Sequence, residues 1–286
     1  MRHRPIGVGV QGLADVFAML KIPWEITDES AKTVSNPAAV LMNKRIFAHM
    51  YYAAVQMSVE LALKDGAYDS FAGSPSSKGL LQPDLWPNVE VVADTGLDWA
   101  GLRDSVKKCG LRNSLLIAPM PTASTSQILG FNECFEPFTT NIYKRLTLAG
   151  EFIQVNKYLV RDLLDLGLWT PELKDKIVSK AGSVQGIAEI PVDIQNLYKT
   201  VWELKQKTLI DLAADRGPYI CQSQSLNLFV KDPGYSNLSS MHFYAWSKGL
   251  KTGIYYLRTK APVAPQQFTI APEGPKVAEE CVMCSA

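Results

Sequence analysis

The chain has 286 residues, of which 47% are hydrophobic and 20% are charged. These values are typical of a globular protein with a sizeable core, and they exclude a disordered, collagen-like or coiled-coil chain. The 29 basic and 28 acidic residues leave a formal charge of +1. Such a chain has no overall field to attract nucleic acid or an anionic membrane, so an anionic ligand has to be bound by local groups.

The cellular location can be predicted from three features: membrane-spanning stretches, a signal peptide and the pattern of cysteines. No stretch has the roughly 20 consecutive apolar residues that cross a bilayer. Residues 1–4 resemble the basic start of a signal peptide, but polar and helix-breaking residues interrupt the stretch that follows, so we expect no secretion. Five cysteines, three of them isolated, do not make a dense disulfide pattern. We therefore expect reduced thiols and a cytoplasmic location.

The first half of the chain is patterned mainly for helices. Apolar residues recur at spacings of three and four over 11–22 and 38–64, which predicts two amphipathic helices. A third helix is predicted over 97–108 and ends at Gly110. The short apolar run 114–118 predicts a buried strand.

The second half continues with helices over 156–166, after Pro171 and, as a long helix, over 193–215. Toward the end of the chain, residues 225–230 and 254–259 predict two strands, with a serine-capped helix over 239–250 between them. The stretch 261–280 contains four prolines and a glycine with few large apolar residues, which predicts a mobile tail.

A glycine motif near the start, Gly7-Val8-Gly9-Val10-Gln11-Gly12, has the G-x-G-x-x-G spacing of dinucleotide-binding loops. A dinucleotide fold needs a strand directly before the motif, yet only six residues precede it and one is Pro5. Close backbone packing without a ligand is therefore the favoured interpretation. A nicotinamide-dependent oxidoreductase using Gly7, Gly9 and Gly12 stays as an alternative.

A run of small hydroxyl residues follows the predicted strand 114–118 and precedes a predicted helix at 127–129. It consists of Thr122, Ala123, Ser124, Thr125 and Ser126. Free backbone N–H groups at the start of a helix can bind phosphate without a lysine. The alternative is simple N-capping by serine or threonine, which is common before helices.

Two further pairs of residues are candidates for redox chemistry. Cys281 and Cys284 form a C-x-x-C motif, whose spacing favours dithiol exchange, with half of a zinc site or an accidental pair of cysteines as alternatives. Tyr255 and Tyr256 lie in a predicted strand, where aromatic residues are common and adjacent side chains point to opposite faces. A doubled tyrosine proves nothing by itself, because Tyr51-Tyr52 occurs inside a predicted helix.

Taken together, several segments resemble the large, catalytic subunit of class I ribonucleotide reductase, of the eukaryotic type. The resemblance is carried by residues 2–15, 73–75, 112–125, 222–227, 240–244 and 251–259. It implies an α/β fold in which residues 1–260 form the C-terminal part of a ten-stranded, helix-rich barrel and residues 261–286 form a flexible redox tail. It also implies reduction of ribonucleoside diphosphates to deoxyribonucleoside diphosphates by radical chemistry, for DNA synthesis.

The resemblance implies roles for the candidate residues. Residues 122–126 are expected to hold the substrate diphosphate, while Tyr255 and Tyr256 relay an electron and a proton from a partner small subunit with a tyrosyl radical and an iron centre. For the two phenols to stack, the chain after Gly253 has to be distorted. Cys281 and Cys284 are expected to reduce the active-site disulfide and then to receive electrons from thioredoxin or glutaredoxin.

The resemblance also implies what lies elsewhere. The family's radical-bearing cysteine, its pocket cysteines and its ATP and dATP effector sites belong upstream of Met1, so we expect no directly bound cofactor here and an inactive isolated chain. Cys109, Cys134 and Cys221 do not replace the missing cysteines.

A homodimer of large subunits is implied as well. A non-catalytic chain that binds the small subunit is the other alternative. Phe131 replaces a common asparagine, so contacts beyond the hydroxyl run are expected to differ.

Overall fold

The computed structural model describes residues 2–86, 95–147 and 150–260. This part of the chain contains nine α-helices and six short strands. The helices are α1 (Leu13–Met19), α2 (Pro37–Asp65), α3 (Trp99–Cys109), α4 (Thr125–Leu129), α5 (Lys157–Asp165), α6 (Pro171–Ser179), α7 (Val192–Leu197), α8 (Gln206–Arg216) and α9 (Tyr235–Ser247). The strands are β1 (Glu25–Thr27), β2 (Thr33–Ser35), β3 (Ile142–Thr147), β4 (Gly150–Val155), β5 (Leu228–Phe229) and β6 (Leu257–Arg258).

Helix α2 is the longest element, with 29 residues. It begins where the Asn36 side chain accepts a hydrogen bond from the amide of Ala38, with Pro37 at the first helical position. It ends at Gly66, whose φ of 81° suits a glycine. One side of the helix packs against α3 and α8, and this contact is the centre of the main core.

Four extended segments run parallel to one another and carry the α/β character of the fold. Their order in space is 6–8, 115–119, 222–230 and 255–258, the same as their order in the chain. The hydrogen bonds from Val8 N to Leu116 O, from Gln222 N to Ile117 O and from Tyr255 N to Leu226 O join successive neighbours. Because parallel neighbours need a crossover, helices lie between them along the chain.

Strands β5 and β6 are the most regular part of this parallel arrangement, with Leu228 opposite Leu257 and Phe229 opposite Arg258. Helix α9 forms the crossover between them, as in a βαβ unit. The other two strand pairs, β1 with β2 and β3 with β4, are antiparallel hairpins. A second, smaller core lies under helices α5, α6 and α7.

A buried arginine fixes the third extended segment to the helices. Arg216, at the end of α8, donates from Nε to Gln224 Oε1 at 2.7 Å and from Nη1 to Asn43 Oδ1 at 3.4 Å. Its guanidinium carbon also lies 3.8 Å from the centre of the Phe135 ring. Burial lowers the pKa of Arg216 to about 9. The partners are neutral amides, so they accept from Arg216 without neutralising its charge.

The predicted helices α1, α2, α3, α5 and α6 are confirmed, with small shifts at their ends. The single long helix over 193–215 is wrong, because the chain leaves helical structure between α7 and α8. There, Tyr198 is fully buried and donates to Asp162 Oδ2 at 2.6 Å, and Val201 N donates to Phe138 O at 2.8 Å. These tertiary contacts replace the helical hydrogen bonds.

Three further predictions need correction. Helix α9 begins at Tyr235 after Gly234, so the predicted start at a serine cap, Ser239, is wrong. The strands predicted over 225–230 and 254–259 are regular only at β5 and β6, and the chain bends at Tyr255. Residues 114–118 pair with 6–8 through an isolated bridge, Val8 to Ile117, and do not form a longer strand. None of the described helices is long and apolar enough to cross a membrane.

Candidate functional site

The hydroxyl run forms a tight loop at the carboxyl end of the extended segment 115–119. We call residues 122–126 the hydroxyl loop. Thr122, its first residue, has a φ of +59°, which a β-branched residue rarely adopts. Its carbonyl accepts from Ser126 N at 2.9 Å, and its Oγ1 accepts from Cys134 N at 2.8 Å. The carboxyl ends of parallel strands are where α/β folds bind ligands.

Three consecutive amides of this loop are available to a ligand. Within the described part of the chain, the backbone N–H groups of Ala123, Ser124 and Thr125 donate to no protein acceptor. All three residues are exposed, and Ser124 makes no side-chain cap for helix α4. The capping alternative is therefore not what the loop does. Three adjacent free amides are donors of the kind that bind phosphate oxygens.

Ser126 faces a different way from these residues. Its side chain is fully buried, its amide is already bonded to Thr122 O, and its hydroxyl has no partner among the described residues. It lines a cavity of about 340 Å³ together with Phe131 and Lys157. Phe131 is 43% exposed, and the Lys157 ammonium lies 4.8 Å from its ring centre. The contacts beyond the loop are therefore made by an aromatic ring and a cation.

The two tyrosines are in contact with each other. The ring centres of Tyr255 and Tyr256 are 4.2 Å apart at an interplanar angle of 52°, and the two hydroxyl oxygens are 3.5 Å apart. The hydrogen bond that Tyr255 donates to Tyr256, together with the charge of Tyr256, raises the pKa of Tyr255. The rings lie on the same side of the chain, as the distortion after Gly253 predicts, but they are tilted and not stacked in parallel. Tyr255 is 47% exposed and Tyr256 is 52% exposed.

The chain before the tyrosines is fixed to the neighbouring segment. Lys251 Nζ donates to the carbonyls of residues 220, 221 and 222 at 2.7 to 3.3 Å. Burial lowers the pKa of Lys251. Thr252 shares a 2.5 Å hydrogen bond with Ser223. At Gly253 a side chain would lie 3.2 Å from Ala245 Cβ of helix α9, so the glycine permits close packing.

One short segment connects the hydroxyl loop with the tyrosine pair. We call residues 132–136 the connecting segment. At one end, Cys134 N donates to Thr122 Oγ1 of the loop. At the other end, Glu136 Oε1 accepts from Asn227 Nδ2 at 2.5 Å, and Asn227 Oδ1 accepts from Tyr256 N at 3.1 Å. The loop and the tyrosines are thus joined through three hydrogen bonds, the three chain residues 134–136 and the side chain of Asn227.

The three cysteines of the described part lie in different surroundings. Cys134 is fully buried, and burial raises the pKa of its thiol to about 12. Cys221 Sγ accepts from the amides of Leu116 and Ile117 at 2.9 and 3.1 Å. Cys109 ends helix α3. Cys281 and Cys284, with the whole predicted tail from residue 261, lie outside the described residues.

The glycine motif serves packing. A side chain on Gly7 would lie 3.3 Å from Ala118 Cβ, and one on Gly9 would lie 3.2 Å from Pro119 Cα. The first amides of helix α1 are also taken, since Gly12 N donates to Asn132 O and Leu13 N donates to Cys134 O. A pyrophosphate would need those amides. The dinucleotide interpretation is therefore wrong, and the favoured interpretation of close backbone packing is confirmed.

Two residues of the site were missed from the sequence. Glu136 is 5% exposed and Asn227 is 1% exposed. Burial, and the nearby charge of Glu133, raise the pKa of Glu136 to about 7. A signal was present in both cases, because each polar residue interrupts an apolar run: Glu136 follows Phe135, and Asn227 stands between Leu226 and Leu228.

Comparison with known proteins identifies the family. The model of the family described as "Ribonucleotide reductase, barrel domain" matches residues 1–256. The chain belongs to this family. Its resemblance to ribonucleotide reductase large subunits, read from its motifs, is thereby confirmed, and so is the α/β fold expected for a part of that barrel.

Relatives of the ribonucleotide reductase family match almost all of the chain. It is 59% identical over 271 residues to the ribonucleoside-diphosphate reductase large chain of Cryptosporidium parvum, covering 94% of this chain and 32% of the relative. It is 55% identical over 283 residues to the large subunit of Arabidopsis thaliana, covering 98% and 33%. The chain therefore spans about a third of the length of these relatives.

A solved ribonucleotide reductase has a similar fold. The class Id alpha subunit of Actinobacillus ureae superposes with a TM-score of 0.67 at 26% sequence identity. The match covers 91% of this chain and 40% of that subunit. The parallel segments and crossover helices described above are thus those of a ribonucleotide reductase barrel.

Proposed function

We propose that the chain supplies part of the catalytic subunit of a ribonucleoside-diphosphate reductase, which converts ribonucleoside diphosphates into deoxyribonucleoside diphosphates. The observation that supports this most directly is the contact between Tyr255 and Tyr256, with hydroxyl oxygens 3.5 Å apart. A strand normally separates adjacent side chains, so two touching phenols are an unusual arrangement that suits transfer between them.

The transfer we propose is the movement of one hydrogen atom between the phenols. When one tyrosine is a phenoxyl radical, the other gives up its O–H hydrogen: that O–H bond breaks, a new O–H bond forms on the first oxygen, and the unpaired electron moves to the second ring. Neither charge nor electron count changes. The radical would arrive from a small subunit with a diiron and tyrosyl centre and would pass on to a cysteine of the large subunit.

We infer that the hydroxyl loop binds the diphosphate of the substrate. The free amides of Ala123, Ser124 and Thr125 are the donors that carry this role. Thr122 and Ser126 support the loop through the hydrogen bond between Ser126 N and Thr122 O. The connecting segment then sets the position of the bound substrate relative to the radical pathway.

The small subunit is proposed to dock on helix α9. Three aromatic side chains of this helix, Tyr235, Phe243 and Trp246, are 95%, 71% and 76% exposed. Large aromatic side chains that are exposed to solvent are typical of a protein interface. The same helix packs against Gly253, so a partner bound there lies beside the tyrosine pair.

Residues 1–260 are proposed as the barrel part and residues 261–286 as a redox tail. Cys281 and Cys284 would reduce the active-site disulfide by thiol exchange and be re-reduced by thioredoxin or glutaredoxin. The radical-bearing cysteine and the ATP and dATP sites would be contributed by other parts of a complete large subunit, which would act as a homodimer. No cofactor is proposed to bind this chain directly.

The experiment uses a chimera in which this chain replaces the matching segment of the Cryptosporidium parvum large chain. With its small subunit, the chimera should reduce CDP to dCDP. Tyr255→Phe and Tyr256→Phe should each reduce turnover to background, because phenylalanine cannot form a phenoxyl radical. Tyr52→Phe, in helix α2, is the matched control and should keep full turnover.

The isolated 286-residue chain should show no CDP reduction. Full turnover by either Tyr255→Phe or Tyr256→Phe in the chimera would contradict the proposed relay. A chimera that binds the small subunit, remains folded and never turns over would favour the non-catalytic alternative.

A further inference from the structure

The tyrosine pair lies at a one-residue shift in the register of the parallel segments. With Leu228 opposite Leu257, regular pairing would direct the amide of Tyr256 to the carbonyl of Leu226. Instead Tyr255 N donates to Leu226 O at 2.7 Å, while Leu228 N donates to Tyr256 O at 3.0 Å. The segment that carries the tyrosines thus has one residue more than the segment it pairs with, and the arrangement is a bulge.

The bulge explains why the two rings are in contact. In a regular strand the side chains of neighbouring residues point to opposite faces. An extra residue breaks this alternation, so Tyr255 and Tyr256 point to the same side, with ring centres 4.2 Å apart. It also leaves the amide of Tyr256 without a main-chain acceptor in the neighbouring segment.

The side chain of Asn227 provides that acceptor. Its Oδ1 accepts from Tyr256 N at 3.1 Å, and its Nδ2 donates to Glu136 Oε1 at 2.5 Å. Both side chains are buried, at 1% and 5% exposure. A buried amide with both ends bonded has one orientation, so Glu136 fixes the direction in which Asn227 presents its oxygen.

Glu136 is in turn held by its own main chain. Its amide donates to Glu133 O at 3.0 Å, and its carbonyl accepts from Asn132 Nδ2 at 2.6 Å. The main chain that carries the Glu136 carboxyl group is therefore held in place within the connecting segment. The same segment supports the hydroxyl loop through Cys134 N.

We propose that Asn227 and Glu136 are positioning residues for radical transfer: together they hold the bulge that keeps the two phenols in contact. Without the Asn227 oxygen, the amide of Tyr256 can take Leu226 O and restore regular pairing, which turns one tyrosine to the opposite face. This inference rests on the proposed function, because it assigns a role in the transfer between Tyr255 and Tyr256. A shift of about 1 Å in such a geometry can cost about 100-fold in rate.

The test places 3-aminotyrosine, a phenol that is easily oxidised and traps a radical, at either position 255 or position 256 of the chimera. The trapped radical is measured by electron paramagnetic resonance in the presence of the small subunit. With Asn227 intact, both positions should trap a radical. With Asn227→Ala, one position should keep its signal and the other should lose most of it, by about tenfold or more, because transfer stops between the rings.

Matched variants separate positioning from folding. Asn113→Ala also removes a buried amide bonded to the main chain, at Arg4 O, and should leave the ratio of the two signals unchanged. Glu136→Gln keeps an acceptor for Asn227 Nδ2 and should preserve the ratio, whereas Glu136→Leu should behave like Asn227→Ala. If Asn227→Ala does not fold, Asn227→Leu removes both hydrogen bonds with little change in volume.

Equal loss at both positions, or no loss at either, would overturn the inference, because a defect in folding or docking lowers both signals together. A different result identifies a failure of the proposed function itself: if neither position traps a radical while Asn227 is intact, the relay does not exist and the positioning role is overturned with it.

Discussion

At the scale of single residues, the ionisation of Glu136 is coupled to folding. Burial raises its pKa from 4.5 to about 7, because the charged form has lost most of its water. Asn227 donates to the carboxyl and Arg258 is close enough to lower the pKa, but neither compensates for burial. Between pH 4.5 and 7 the folded chain therefore holds a proton that the unfolded chain has released.

This difference predicts a pH dependence of stability. Since the folded state binds more protons in that range, the free energy of unfolding should fall as the pH rises from 4.5 to 7, by about 3 kcal/mol for this group. Glu136→Gln cannot ionise and should lose that part of the fall. Urea unfolding of the 286-residue chain at pH 5 and pH 8 measures the effect. The exposed Glu29→Gln is the control, and an unchanged slope in Glu136→Gln would contradict the prediction.

A second residue-scale prediction concerns Ser124. Ser124 makes no side-chain cap, and Asp is accepted at an N-cap as readily as Ser, so Ser124→Asp should not destabilise the chain. Its carboxylate would occupy the free amides and repel a diphosphate. We expect the KM for CDP to rise about tenfold or more in the chimera.

Steady-state kinetics with CDP measures this change. Ser124→Ala removes only the hydroxyl and should stay within about threefold of the parent KM, because the main chain supplies the donors. An unchanged KM in Ser124→Asp would show that the hydroxyl loop does not bind the diphosphate.

At the scale of elements, the parallel segments depend on close backbone approach. A Cβ on Gly9 would lie 3.2 Å from Pro119 Cα, where backbone cannot easily move. We expect Gly9→Ser to lower the free energy of unfolding by about 1–3 kcal/mol. Gly234→Ser is the matched control, since nothing lies within 4 Å and serine is a good N-cap for helix α9. Thermal unfolding compares the two; equal melting temperatures would contradict close packing at Gly9.

Local patterns predicted the helices whose ends carry their own signals. Helix α2 has Asn36 and Pro37 at its start and Gly66 at its end, so its bounds follow from the sequence. The break between α7 and α8 could not be predicted in this way. It depends on the buried bond between Tyr198 and Asp162, two residues far apart in the chain.

The same distinction applies to the candidate site: some of its features follow from adjacent residues, and others depend on contacts between distant segments. The hydroxyl loop was predictable because its residues are adjacent and stand before a helix. The contact between the tyrosines could be expected from the resemblance, but its cause could not. The bulge needs Asn227 from one segment and Glu136 from another, and no local pattern joins them.

At the scale of the whole molecule, the site is assembled from segments that span the described chain. The connecting segment is bonded to the start of helix α1 on one side and to Asn227 on the other. A substitution in any of the four extended segments can therefore change the distance between the hydroxyl loop and the tyrosines.

The last prediction concerns the C-x-x-C motif, beyond the described residues. The sequence predicts a mobile tail over 261–280, and a flexible chain of about 20 residues would have a root-mean-square span on the order of 25 Å. Cys281→Ser and Cys284→Ser should each abolish thioredoxin-driven turnover of the chimera, because one thiol attacks a disulfide and the other resolves the intermediate. Turnover with a small dithiol should remain, since such a reductant enters the pocket directly. Cys109→Ser is the control and should keep both activities; loss of both activities in the tail variants would mean that these cysteines act elsewhere than in electron delivery.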